Sequence, residues 1–177
     1  MLGGQLVSHQ MSVTIYTDGS AVNNVASPDT PAGWGLVVIE GDVGNNHDGG
    51  QVLLEDFGAV VTDQTKPEYI GADVGSNNTA ELSGIYFAML KVKGLSNISD
   101  VTIYTDSQYA MNIVFGNWSA NKNLGLVKKC RQLKDELDMA GITITAKHIR
   151  AHRGFRWNER ADKLAYAAAY RIAPPPL

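Results

Sequence analysis

Hydrophobic positions recur along this chain with two different periods. Over 12–17 (SVTIYT) β-branched and aromatic residues run up to the turn-forming Asp18-Gly19-Ser20, the pattern of a strand that delivers a carboxylate to a turn. The stretches 34–40 and about 51–62 read as two further strands around a Gly/Asn/Asp-rich loop at 41–50, and their closeness predicts an antiparallel meander. Between 63 and 78 the pattern lapses into a long loop containing Pro67, Gly71 and Gly75. From 79 to 93 the period becomes helical, with Leu82, Ile85, Tyr86, Met89, Leu90 and Val92 apolar, Asn78 or Thr79 available as cap and Gly94 as stop. A buried strand is expected at 101–105, then a short helix from Asp106 through Ile113. An amphipathic helix at 124–140 buries Leu126, Val127, Cys130, Leu133 and Leu137 and turns most of its lysines and arginines outward. The alternating stretch 142–149 predicts a fifth strand, and after a basic, aromatic loop at 150–157 an alanine-rich helix runs over 158–171 until three prolines end it. This order predicts an α/β fold with a mixed sheet, whose parallel strands need helical crossovers, flanked by helices on its faces.

Composition narrows the class without naming a function. The 177 residues, 44% hydrophobic and 19% charged, suit one globular domain and exclude a disordered or fibrous chain. The expected division is a disordered lead-in at 1–11, one domain over 12–173 and a proline-rich tail at 174–177. No apolar run reaches the ~20 residues of a membrane span, and the start lacks the layout of a signal peptide. The single cysteine, Cys130, excludes internal disulfides and cysteine-zinc modules, so a cytoplasmic protein with no membrane contact is expected, working as a monomer. Charge is unevenly spread. Residues 1–90 hold one base against eleven acids (−10), and residues 91–177 hold fourteen bases against seven acids (+7), a polarity suited to a polyanionic partner near the C-terminal half.

Four carboxylates stand where distant segments can converge: Asp18 and Asp106 at strand ends, Glu81 and Asp162 in the expected first turns of helices. In α/β sheets, ligands bind beyond the carboxyl ends of the strands. Singly, each acid has an ordinary explanation as an Asx turn, a cap or a complement to a helix dipole. Together in one crevice they repel one another unless a divalent cation neutralises them, and an all-oxygen donor set favours Mg²⁺ or Mn²⁺ over zinc.

Four motifs then occur in order: Thr17-Asp18-Gly19-Ser20; Asn77-Asn78-Thr79-Ala80-Glu81-Leu82; Thr105-Asp106-Ser107-Gln108-Tyr109; and His152 followed by Asn158-Glu159-Arg160-Ala161-Asp162. This set resembles that of type 1 ribonuclease H over roughly residues 13–169. The resemblance implies an RNase H-like fold, with the first three strands antiparallel and the last two parallel to the first. It implies hydrolysis of the RNA strand of an RNA/DNA hybrid by two metal ions, leaving a 5′-phosphate and a 3′-hydroxyl. Asp18 would then contact both ions, Glu81, Asp106 and Asp162 would complete their shells, and His152 would assist proton transfer or product departure. Substrate contacts map by resemblance onto Asn24, Asn77, Asn78, Gln108 and Asn158, with Arg150, Arg153, Arg156, Lys128 and Lys129 available to phosphates. His9, His47 and His148 lack motif context; His148 is expected to be a packing or edge residue and His47 part of a loop.

Two features depart from the family pattern. The interval 116–125 is too short and too weakly basic for the hybrid-gripping protrusion of some members, whereas 41–50 and 62–76 are enlarged. Two rival readings are a catalytically impaired nucleic-acid-binding module of this fold and another metal-dependent nuclease on the same fold.

Overall fold

The computed structural model describes residues 10–177. Five strands, β1 (Met11–Ala21), β2 (Ala32–Glu40), β3 (Gln51–Ala59), β4 (Ile98–Thr105) and β5 (Thr143–His148), form one sheet in the order β3-β2-β1-β4-β5. β1 pairs antiparallel with β2 and β2 with β3, while β4 runs parallel to β1 and β5 parallel to β4, as the family resemblance implies. Helices α1 (Asn77–Gly94), α2 (Gln108–Val114) and α3 (Leu124–Met139) cover one face, and α4 (Arg156–Tyr170) covers the other.

The central strands are buried on both sides, so their two-residue period sorts side chains between two cores. Ile15, Leu36, Val38 and Ile103 meet Leu82, Ile85, Met89 and Leu126 on one face, whereas Tyr16, Val37 and Ile39 meet Trp157, Ala161 and Leu164 on the other. Each fully buried Leu, Ile or Met contributes about 1.5–3 kcal/mol. The alanine content of α4 also has a packing reason. At Gly35 a Cβ would lie 2.6 Å from the Ala161 carbonyl oxygen, so helix and sheet approach with almost no side chain between them. Among the described residues no helix is long and apolar enough to cross a membrane.

Several boundaries differ from expectation, each for a physical reason. The expected lead-in at 1–11 lies outside the described residues through residue 9, and Met11 already begins β1. β1 does not turn at Asp18-Gly19-Ser20, because antiparallel pairing to β2 continues through Asp18↔Gly35 to Ala21↔Ala32. α1 starts at Asn77, capped by Ser76 rather than by Asn78 or Thr79: the Ser76 hydroxyl accepts from the Thr79 N–H and the Thr79 hydroxyl accepts from the Ser76 N–H, both at 3.0 Å. α2 is capped by Ser107, not Asp106. α4 begins two residues early, at Arg156. Glu81 and Asp162 consequently fall in the second turns of their helices, beyond the orphan N–H groups that a capping acid would satisfy.

Candidate active site

Strand pairing makes the cleft. β1 and β4 part company after Thr17↔Thr105, while β1 stays paired to β2, so Asp18 on β1 and Asp106 just past β4 sit side by side where the parallel ladder opens. The Ser107 cap leaves the Asp106 carboxylate free of capping duty. α1 lies so close to β1 at Gly19 that a Cβ there would fall 2.4 Å from the Glu81 nitrogen, and this approach carries the Glu81 carboxylate into the same space.

Asp18, Glu81 and Asp106 each present an oxygen within 4.8 Å of the other two. Asp18 is 4% and Glu81 8% exposed. One Asp18 oxygen accepts from the Gly19 N–H at 2.8 Å, but Glu81 Oε2 is buried without a hydrogen-bond partner. Burial, then the charges of Glu81 and Asp106, hold the Asp18 carboxyl well above its usual range. Glu81 is pushed up to about 8 by burial first and by Asp106 second, and Asp106 is raised chiefly by burial. An orphaned buried carboxylate oxygen among crowded acids is the environment a hard divalent cation stabilises, so these residues fit such an ion by charge and by donor type.

This crowding has a measurable consequence. The folded protein retains the Glu81 proton up to about pH 8, whereas the unfolded chain releases it near 4.5, so folding is favoured below 4.5 and loses stability as pH rises through that window. Melting in chelator should therefore occur at lower temperature at pH 8 than at pH 5, and Mg²⁺ should raise the midpoint more at pH 8. Equal midpoints at both pH values would contradict this account of the cluster.

Asp162, exposed on α4, lines a small cleft of about 10 Å³ together with Asp18, Asp106, Ala151, His152, Asn158 and Glu159. The structure thus brings three carboxylates tightly together and sets the fourth at their rim. His152 is exposed at the cleft with φ +58°, and Asn158 is buried with its Nδ2 unpartnered.

The other expected substrate residues lie outside this cleft. Asn77 donates from Nδ2 to Asn24 Oδ1 at 3.4 Å and accepts from the Ala21 N–H at 3.2 Å, tying the end of β1 to the start of α1. Asn78 borders a cavity of about 500 Å³ with Ser76, Lys122 and Asn123. Gln108 is exposed as the first residue of α2. Arg150, Arg153 and Arg156 are exposed around His152, and Lys128 and Lys129 are exposed on α3.

Two cleft-side residues were not singled out from sequence as part of the site. Glu159 follows Asn158 in the last motif and lines the cleft. His148 is the last residue of the edge strand β5, opposite Thr105, and its Nε2 lies 3.2 Å from the Asp106 carbonyl oxygen. The signal for His148 was the parallel register, which seats the residue after β4 beside the last residue of β5.

Comparison with known proteins agrees with this architecture. The model of the RNase H family matches residues 10–170. Ribonuclease HI of Synechocystis sp. is 29% identical over 172 residues, covering 92% of this chain and 91% of that protein. RNase H1 from the halophilic archaeon Halobacterium salinarum NRC-1 superposes with a TM-score of 0.65 at 23% identity, over 91% of this chain and 99% of that one. LC11-RNase H1, solved in complex with an RNA/DNA hybrid, gives a TM-score of 0.63 at 22% identity, over 90% and 97% of the two chains.

Proposed function

The chain belongs to the RNase H family, and from that premise we propose that it is an endonuclease hydrolysing the RNA strand of RNA/DNA hybrids to 5′-phosphate and 3′-hydroxyl ends. The observation that carries the reading is the buried trio Asp18, Glu81 and Asp106, with Glu81 Oε2 left unpartnered, in a chain whose relatives are ribonucleases H. Two Mg²⁺ ions, with Mn²⁺ as substitute, would be held by Asp18 in common and by Glu81, Asp106 and Asp162. When bound they would supply neutralising charge, a more acidic water and stabilisation of the departing oxygen.

The chain's own residues then divide the work. Asp18, Glu81 and Asp106 hold their carboxyl oxygens at fixed positions at the end of a rigid sheet, which sets where the ions and the scissile phosphate would sit. Asp162 closes the cleft from α4. His152, exposed at the cleft mouth on a loop with Gly154 at φ +76°, would carry a proton to or from the reacting oxygens. Asn24, Asn77, Asn78, Gln108 and Asn158 would read minor-groove edges and 2′-hydroxyls, the groups that separate RNA from DNA. Exposed Arg150, Arg153 and Arg156 would contact phosphates without reading sequence. The reading includes a monomer acting in the cytoplasm, where a lone buried thiol such as Cys130 stays reduced.

The deciding experiment is cleavage of a labelled RNA/DNA hybrid with Mg²⁺, with Mn²⁺ and with chelator, beside duplex RNA and duplex DNA. Metal-dependent cutting confined to the hybrid's RNA strand is expected. Hybrid binding without cutting would move the reading to a binding module, and cutting of duplex DNA to another nuclease on this fold. His152→Ala should slow turnover by about 10² and leave hybrid affinity intact. An unchanged rate from pH 6 to 9 would remove His152 from the mechanism.

A further inference from the structure

The enlarged 41–50 loop folds back over the sheet and meets the beginning of α4. α4 has no side-chain cap of its own: its N-cap residue, Phe155, makes no such bond. The Trp157 N–H, one of the donors a helix start leaves unsatisfied, instead reaches the His47 carbonyl oxygen at 3.3 Å. The Trp157 indole N–H donates to the Gly49 carbonyl oxygen at 2.8 Å, across 108 residues of chain.

His47 is held from the other side. Its Nδ1 lies 2.6 Å from the Tyr16 hydroxyl. Hydroxyl and imidazole share one hydrogen bond, in which Tyr16 can donate to an unprotonated Nδ1. The imidazole stands edge-on to Tyr16, Tyr104 and Phe155, with ring centroids at 5.5, 4.6 and 5.0 Å. Its backbone is in the left-handed region at φ +53°, a conformation that a non-glycine residue keeps only where its surroundings enforce it. Tyr16 precedes Asp18 by two residues on β1. Phe155 follows His152 by three, and Trp157 directly precedes Asn158 on the helix that carries Asp162.

We propose that the 41–50 loop is a detached cap for α4, and that His47 is a positioning residue setting the distance between the β1 side of the cleft and the α4 side. Losing the Tyr16–His47–Trp157 connection lets the start of α4 and the His152 loop drift away from Asp18 while the sheet, Glu81 and Asp106 remain in place. The effect falls mainly on turnover, because Asn24, Asn77, Asn78 and Gln108 lie outside the loop and α4, with a smaller loss of hybrid affinity through Asn158 and the arginines of the displaced segment. This inference rests on the reading of Asp162 and His152 as working parts of the cleft.

The test compares His47→Ala, His47→Gln and Tyr16→Phe in the full chain. His47→Ala should lower kcat about tenfold, with a smaller rise in KM for the hybrid. His47→Gln, whose amide oxygen can accept from Tyr16, should recover most of that loss, and Tyr16→Phe should fall between. Independently of activity, hydrogen exchange at the Trp157 backbone and indole N–H should speed up at least tenfold in His47→Ala and stay near wild type in His47→Gln. Wild-type kcat in His47→Ala, equal losses in the Ala and Gln variants, or unchanged Trp157 exchange would each overturn the proposal. Failure of the wild-type protein to cut hybrid would overturn the nuclease reading instead, with the exchange measurement still deciding whether the loop caps α4.

Discussion

Asp18→Asn should yield a protein that binds RNA/DNA hybrid and does not cut it. Asp18 lies within reach of both Glu81 and Asp106 and is the residue proposed to hold both ions. The amide removes one formal charge and keeps nearly the same volume, so the sheet has no steric reason to rearrange. Ions at such a centre supply several kcal/mol of transition-state stabilisation, and each 1.36 kcal/mol is tenfold in rate, so turnover should fall about 10³-fold or more. Hybrid affinity should hold or improve, because a negative charge facing phosphates is gone. Stability should move opposite to activity: burial and the neighbouring Glu81 and Asp106 make an ionised carboxyl at position 18 unfavourable, so the neutral amide should raise the melting midpoint in chelator at pH 8. Single-turnover cleavage and melting in chelator measure the two halves. Near-normal turnover would sink the site assignment, and a variant less stable than wild type would sink the charge-crowding account.

Gly19→Ala should damage both fold and site through one methyl group. The new Cβ would stand 2.4 Å from the Glu81 nitrogen, 2.5 Å from the Ala80 carbonyl carbon and 2.8 Å from the Ala80 Cβ. The two closest are backbone atoms of a helix and cannot rotate away. β1 stays paired to β2 through Gly19 and to β4 up to Thr17, so α1 must retreat, loosening a helix whose Ala80, Leu82, Ile85, Ala88 and Met89 are fully buried. Overpacking of this kind costs about 1–3 kcal/mol. The retreat also withdraws Glu81 from Asp18 and Asp106, so turnover should fall about 10²-fold or more even where the variant remains folded, since even small misplacements at a catalytic centre carry costs of that order. Urea unfolding and cleavage at a temperature well below the midpoint separate the two effects. A variant with wild-type stability would mean that α1 is not packed on Gly19 as described.

How far the sequence could be read depended on the range of each interaction. The five strands and the mixed sheet followed from local periodicity and turn chemistry, and the boundaries that moved did so where tertiary pairing overrode a local signal. Asp18-Gly19-Ser20 resembles a turn, yet β2 keeps it in the sheet. Asp106 resembles a cap, yet Ser107 is better placed to bond the Ala110 N–H. Asn78 and Thr79 resemble caps, yet the reciprocal Ser76–Thr79 pair uses the hydroxyls one turn apart. The motif spacing located Asp18, Glu81, Asp106, Asp162 and His152 along the chain. It said nothing of His148, whose place beside Asp106 depends on the parallel register of β4 and β5.

His47 shows the same division. A histidine in a glycine-rich loop carries no local sign of its partners, because Tyr16 and Trp157 lie 31 and 110 residues away along the chain. By itself the sequence determined which residues are candidates for the chemistry and which segments are strand or helix, since both depend on residue type and short spacing. The tertiary structure alone decided that three carboxylates crowd within 4.8 Å while Asp162 stands at their rim, and that the 41–50 loop caps α4. Those outcomes are set by where β1 and β4 stop pairing and how closely α1 and α4 cross the sheet, distances that no local pattern encodes.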